Sequence, residues 1–169
     1  MKMKSIIVAI GILLGVGLAP TPSVLGPPVP PRVTLPPTLF AAYRAPEPAN
    51  GVSAPSRCGR WRDLALSVGW SQDQWPTLDY IIWRESRCLP EVVNTTLNGD
   101  GSHDYGLTQI NDKSWCQPNR WWPDGWLQAQ RIVRNCDQLR WPIYNLAAAY
   151  AIWNYSYEQN GNGWQPWGI

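Results

Sequence analysis

The 169-residue sequence predicts an α+β domain, mainly helical, with one small β-hairpin, and three observations carry that expectation. Apolar residues recur at helical spacing in several separate segments. A single polar, glycine-rich stretch, Asn98-Gly99-Asp100-Gly101, interrupts them with a strong hairpin signal. All 12 Trp and all 4 Cys fall between Cys58 and Trp167, which confines the packed unit to the later two thirds of the chain.

The first third has a different character. Lys2 and Lys4 precede an apolar run from Ile6 to Ala19, short for a bilayer span of about 20 residues and suited to a signal peptide. Gly17-Leu18-Ala19 has the small-x-small form of a cleavage site but Pro20 follows it, so a retained membrane anchor through residues 6–19 stays open beside cleavage. Residues 20–56 are rich in proline, which withholds N–H donors and fixes φ, so an extended, disordered linker is expected there. At about 3.1 Å per residue it would reach roughly 100 Å. Residues 57–169 then form the expected catalytic domain.

Within it, Arg60 to Trp70 reads as a first helix, with Trp61, Leu64, Leu66 and Val68 supplying apolar surface. A second helix is expected to start near Thr77 as N-cap, with Asp79 in its first turn and Pro90 as its stop. Its apolar stripe runs Leu78, Ile81, Ile82, and the next position on that face is Glu85. A carboxyl on a buried stripe would lose hydration and have its pKa raised. The competing reading pairs Glu85 with Arg84 or Arg87, although both arginines project to other faces. The hairpin between Asn94 and Asn111 places Asp104 at the start of its return strand. Leu127 to Leu139 reads as another helix, and a last one follows Pro142, with Ile143, Leu146, Tyr150, Trp153 and Tyr157 at helical spacing. Trp164 and Trp167 close the chain in an irregular loop, where they could stack on sugar rings or pack on the last helix.

Two carboxyls in contrasting settings, Glu85 on an apolar helix and Asp104 in a polar hairpin, are what glycosidic bond cleavage requires. Other classes fit less well. Setting aside Lys2, Lys4, Arg32 and Arg44 leaves 10 of the 14 basic residues, and setting aside Glu47 leaves 11 of the 12 acidic ones. The domain is therefore near neutral, and no basic field points to nucleic acid. Four cysteines behind an export signal suggest two disulfides. Three pairings exist, of which Cys58–Cys88 and Cys116–Cys136 link neighbours along the proposed chain path. Zinc is disfavoured because no spacing is C-x2-C and His103 is the single histidine. Asn98, Asp100, Ser102 and Asp104 mimic the first ligands of a calcium loop, but the match fails at His103 and Gln109, so no metal or cofactor is expected.

The motifs resemble the lysozyme-like superfamily over roughly Cys58 to Trp167. Glu85-Ser86-Arg87 is similar to the Glu-Ser that ends the catalytic helix in lytic transglycosylases and c-type lysozymes. Gly106-Leu107-Thr108-Gln109-Ile110 resembles the Gly-Leu-Met-Gln-Ile of SLT-type transglycosylases, with Thr108 in place of Met. Asp100-Gly101-Ser102-His103-Asp104-Tyr105-Gly106, with Gln109-Ile110-Asn111 and Trp115-Cys116, is closer to the c-type pattern. The resemblance implies a hairpin flanking a glycan cleft, Glu85 as general acid at the β-1,4 bond after N-acetylmuramic acid, and Asp104 as the second carboxylate. It also implies peptidoglycan strands as partner, with Gln109, Tyr105, Asn111 and Trp164 as substrate contacts. Asn145-Leu146-Ala147-Ala148 and Gly163-Trp164-Gln165-Pro166-Trp167 are similar to bacterial and phage transglycosylase-type domains. Those elements tilt the expectation toward that label, a bacterial or phage origin and an exported, monomeric enzyme. A non-catalytic glycan-binding module on an exported spacer is the alternative, but two retained carboxyls are more than a binder needs.

Because nothing between Pro20 and Pro55 has an apolar periodicity able to join a core, deleting it should leave the domain folded. The melting temperature of the truncated protein checks this; a large drop would mean that the segment packs.

Overall fold

A computed structural model of the chain describes residues 56–96 and 98–169. The expectations for residues 1–19, and for the linker as far as residue 55, lie outside the described residues.

The chain enters through Ser56 and a 3-10 turn at Gly59–Trp61, which leads into helix α1, Arg62–Ser67. Trp61, Leu64, Ala65 and Val68 are buried at three- and four-residue spacing, the signature of one apolar helix face. Gly69 ends this unit at φ 118°, and a Cβ there would overlap the Tyr150 ring, so only glycine lets the turn close on the last helix.

Helix α2, Trp75–Ser86, starts earlier than expected. Ser71 and Gln74 exchange bonds, with Gln74 N–H donating to Ser71 Oγ (3.2 Å) and Ser71 N–H to Gln74 Oε1 (2.8 Å). That is the reciprocal pattern of a Ser-x-x-Gln capping box. Thr77 therefore lies inside the helix, and Pro76 fits its first turn without cost to the backbone bonds. The helix also ends before Pro90 can act. Arg87 (φ 53°) and Cys88 (φ 66°) both take left-handed backbone, and their N–H groups return to Trp83 O and Ile82 O.

Three two-residue strands form an antiparallel sheet in the order β1 (Val93–Asn94), β2 (Asp104–Tyr105), β3 (Ile110–Asn111). Asn94 pairs with Asp104, and Asp104 with Asn111. The hairpin and the place of Asp104 in its return strand are as expected. Helix α3, Asp112–Trp115, follows directly, with Asn111 as its side-chain N-cap.

The helix expected from Leu127 to Leu139 is not continuous. Helix α4 covers Trp126–Ala129 alone, and Arg131 at φ 60° closes it as its N–H bonds Gln128 O. A 3-10 turn at Cys136–Arg140 follows, with Asn135 as its side-chain N-cap. Leu127, Ile132, Val133 and Leu139 are buried all the same. The apolar count was thus correct while its period was mistaken for one helix.

Helix α5, Pro142–Asn160, is the long element of the fold. Ile143, Leu146, Ala147, Ala148, Ala149, Ala151 and Ile152 are buried, so it is apolar almost all round, as an interior helix should be. Helix α1, the 3-10 turn before α5 and the last 3-10 turn, Gln165–Trp167, pack on it, and Trp70 Nε1–H reaches across to Leu146 O (3.0 Å).

Cys58 is joined to Cys88 and Cys116 to Cys136, with Cα separations of 5.4 and 5.7 Å. The first bridge ties the domain's entry to the end of α2, and the second staples the loop that carries α4 to the turn before α5. Replacing the pair Cys116 and Cys136 by Ser should lower stability by about 2–5 kcal/mol. Denaturant unfolding of that variant checks the cost, and non-reducing peptide mapping of the native protein checks the pairing.

Candidate active site

Glu85 occupies the penultimate position of α2, just before the left-handed turn at Arg87 and Cys88. It is not the buried, dehydrated carboxyl that the apolar stripe suggested. Its side chain is 26% exposed, and its Oε1 accepts from Arg84 Nε (2.8 Å) and Nη2 (2.5 Å). The pairing with Arg84 set against the buried reading is therefore the one formed, although the two residues are adjacent on the helix. Arg84 Nη2 also donates to Trp167 O (2.6 Å), tying Glu85 to the end of the chain.

Asp104 is built in differently. Its Oδ1 accepts from Asn111 Nδ2 (2.9 Å), and its Oδ2 from Asn98 Nδ2 (2.8 Å) and Asn94 Nδ2 (3.2 Å). One amide comes from each neighbouring strand and one from the turn between β1 and β2. An ionised carboxylate only accepts hydrogen bonds, so three amide donors complement that form and fix its position. Sequence reading named Asp104 and Asn111 but missed Asn94 and Asn98 as its partners. The Asn-Gly-Asp-Gly turn was the available signal, since such a turn folds its first residue back over the strand that follows.

The turn has its own support. Asp100 accepts from Ser102 Oγ (2.7 Å) and Ser102 N–H (3.0 Å), and Lys113 Nζ lies 3.1 Å from its Oδ2. These bonds to Ser102, and then Lys113, hold the Asp100 carboxyl well below its ordinary value of 3.8. Buried Asp112 holds the other side, taking His103 N–H (2.9 Å) and Gln117 Nε2 (2.9 Å). Tyr105 lies between these groups, and burial, followed by Asp112 and Asp137, raises its pKa, so it stays a neutral phenol.

The remaining expected contacts are divided. Gln109 sits at φ 48°, and its Nε2 donates to Gly106 O (2.9 Å) and Val92 O (3.2 Å), so its amide nitrogen braces the sheet. Asn111 uses its Oδ1 to cap α3 through Ser114 N–H (3.0 Å). Trp164 stacks on Trp70 (5.4 Å between centroids, 16° between planes), and Trp167 is buried with its Nε1–H on Thr108 O (3.0 Å). Both tryptophans pack as the last loop folds onto α5, Trp167 buried and Trp164 partly exposed. A surface depression of about 650 Å³, lined by residues including Pro118, Asp124, Arg131 and Arg134, contains neither carboxylate.

No family model matches the chain. It is 37% identical over 101 residues to Lysozyme 1 of Musca domestica, a match covering 60% of this chain and 67% of that protein. The chain belongs to the lysozyme family. Lysozyme X of Drosophila melanogaster is 44% identical over 63 residues, a match that spans 43% of its length and 37% of this chain. A crystal structure of a lysozyme from Litopenaeus vannamei shares the fold, with a TM-score of 0.52 and 22% identity over 69% of this chain and 84% of that one. These lysozymes come from insects and a shrimp, and they do not support the bacterial or phage origin expected from the Gly-Leu-x-Gln and Gly-Trp-x-Pro-Trp elements. Nor do they carry the transglycosylase label. Thr108, which departs from the transglycosylase motif, has a structural use in this lysozyme-family chain: its N–H and Oγ1 both donate to Asn145 Oδ1 (3.0 and 2.8 Å).

Because the folded state lowers the Asp100 pKa, the turn's contribution is complete above 3.8 and falls away as pH drops below it. Asp100→Asn should therefore flatten the loss of stability in that acid range. Thermal melts of the two proteins between neutral and strongly acidic pH would show equal slopes if the turn plays no part.

Proposed function

We propose that the domain hydrolyses the β-1,4 bond after N-acetylmuramic acid in peptidoglycan strands, with Glu85 as general acid and Asp104 as the second carboxylate. The observation that carries this reading is the three-amide cradle of Asp104. A carboxylate held in place by three donors suits a nucleophile or a stabiliser of positive charge at the sugar carbon, as in retaining glycosidases. The membership in the lysozyme family supports the same chemistry.

In this mechanism the Glu85 carboxyl gives its proton to the leaving glycosidic oxygen as the carbon–oxygen bond breaks. Asp104 takes up the developing charge on the anomeric carbon or bonds to it. Water then adds there, returning its proton to Glu85 and leaving a reducing sugar end. Glu85 must be protonated to begin, so Arg84 has to leave its Oε1 as substrate enters. A second acceptor, Trp167 O, already holds the guanidinium for that step. The protein is proposed to act as a monomer on the exported side of the membrane, an environment that its two disulfides fit.

Glu85→Gln keeps shape and hydrogen bonding but has no proton to give, so turnover should fall about 10²–10⁴-fold while glycan binding survives. Asp104→Asn should be nearly as damaging, and wild-type products should carry reducing ends by mass spectrometry. Anhydro-sugar ends with a mild Asp104→Asn effect would move the assignment to transglycosylase. Full activity of Glu85→Gln would leave only a glycan-binding module.

A further inference from the structure

Tyr80, Trp83 and Arg84 share one face of α2 at positions i, i+3 and i+4, and Arg87, in the left-handed cap, continues the stripe beside Glu85. Arg57 joins it from the domain's entry. Its guanidinium lies 4.2 Å from the Trp83 ring centroid and 5.5 Å from that of Tyr80. Arg87 lies 4.1 Å from the Trp83 ring and Arg84 5.7 Å from the Tyr80 ring. The placement of Arg57 is built rather than incidental. Its backbone N–H donates to Asp79 Oδ2 (2.9 Å), while the adjacent Cys58 donates to Asp79 Oδ1 (2.7 Å) and is bridged to Cys88.

Stacking occupies the face of a guanidinium and leaves its N–H edge for acceptors. Arg87 uses one of those groups on Trp83 O (2.9 Å), and Arg84 is occupied by Glu85 and Trp167. Among the described residues no carboxylate forms an ion pair with Arg57 or Arg87. Both side chains are exposed. In a domain with near-balanced charge, this leaves two pre-oriented cations, one from the domain's entry and one from the cap of α2, flanking Trp83. In sequence, residues 1–55 carry a single acidic residue, Glu47, against Lys2, Lys4, Arg32 and Arg44.

We infer that Arg57 and Arg87 form a subsite for the carboxylates of the peptide stems borne by the glycan strand. This rests on the glycan-cleaving reading and extends it. The stripe selects strands that carry acidic stems over bare polysaccharide by pairing guanidinium edges with stem carboxylates, which arginine holds in bidentate geometry.

The test uses binding, so that it does not depend on turnover. Glu85→Gln and the same protein with Arg57→Gln and Arg87→Gln would be titrated with stem-bearing strands and with strands stripped of their peptides. Expected is a loss of about fivefold to tenfold for the stem-bearing strands alone, because two exposed charge pairs are removed. The loss should shrink as salt rises. Equal affinity of the two proteins for stem-bearing strands, or an equal loss on both substrates, would overturn the subsite. So would a loss seen only with phosphatidylglycerol vesicles, which would reassign the stripe to a lipid surface. Wild-type cleavage of both substrates, run alongside, separately judges the glycosidase: no cleavage would sink that reading while the binding comparison still decides the stripe.

Discussion

One buried amide organises the region around Asp104. Asn145 lies on α5 with no solvent exposure, and every hydrogen-bonding position of its side chain is filled. Its Oδ1 accepts from Thr108 N–H and Thr108 Oγ1, and its Nδ2 donates to Tyr105 O and Leu139 O, both at 2.8 Å. A buried polar group is costly unless satisfied, so this arrangement admits one register between the sheet and the helix. Gly106 shows how tight it is. At φ 72° it passes so close that a Cβ would overlap Leu139 O and Asn145 Nδ2. Glycine at this position meets both a conformational and a steric demand.

The amide also connects the two carboxyl sites. Thr108, held by Asn145, accepts at its carbonyl from Trp167 Nε1; Trp167 accepts at its own carbonyl from Arg84; Arg84 binds Glu85. Tyr105, the next residue after Asp104, is held from the other side of the same asparagine. A change in the Arg84–Glu85 contact therefore has a continuous route of short polar contacts to the strand that presents Asp104. The fold does not leave Glu85 and Asp104 to independent supports.

Much of the helical architecture could be read from the sequence, because α1, α2 and α5 bury stripes whose period is that of the helix. The hairpin was legible through its Asn-Gly-Asp-Gly turn. What failed has a common cause. The start of α2 is set by Ser71 and Gln74, and its end by left-handed Arg87 and Cys88, so side-chain caps and a disulfide overrode Thr77 and Pro90. The segment after Leu127 has helical apolar content but breaks at Arg131, where backbone conformation rather than composition decides. At the site, the polar hairpin setting of Asp104 was legible, while the buried apolar setting expected for Glu85 is not what the fold provides. Arg84 was readable as a competing partner of Glu85, whereas Asn94 and Asn98 were missed as partners of Asp104 because the turn was read for its shape and not for the side chains it folds back.

The difference between expectation and structure is sharpest at Glu85, and it bears on how the acid would work. A carboxyl made acid by burial alone needs a dry pocket before substrate arrives. Glu85 instead stands partly exposed with a guanidinium on one oxygen. A proton donor must offer a free oxygen to the leaving group, whereas in the free protein Arg84 occupies this one. The two demands are reconciled if substrate supplies the missing dehydration: a sugar ring laid over Glu85 excludes water and displaces Arg84 toward Trp167 O, which it already touches. Under the proposed mechanism the free protein keeps Glu85 paired with Arg84, and the cost of breaking that pair comes out of substrate binding. Interactions remote from the bond being cut can meet such a cost. On this view the neighbouring arginine stripe and the acid are parts of one device, since a strand gripped along α2 is a strand placed to move Arg84.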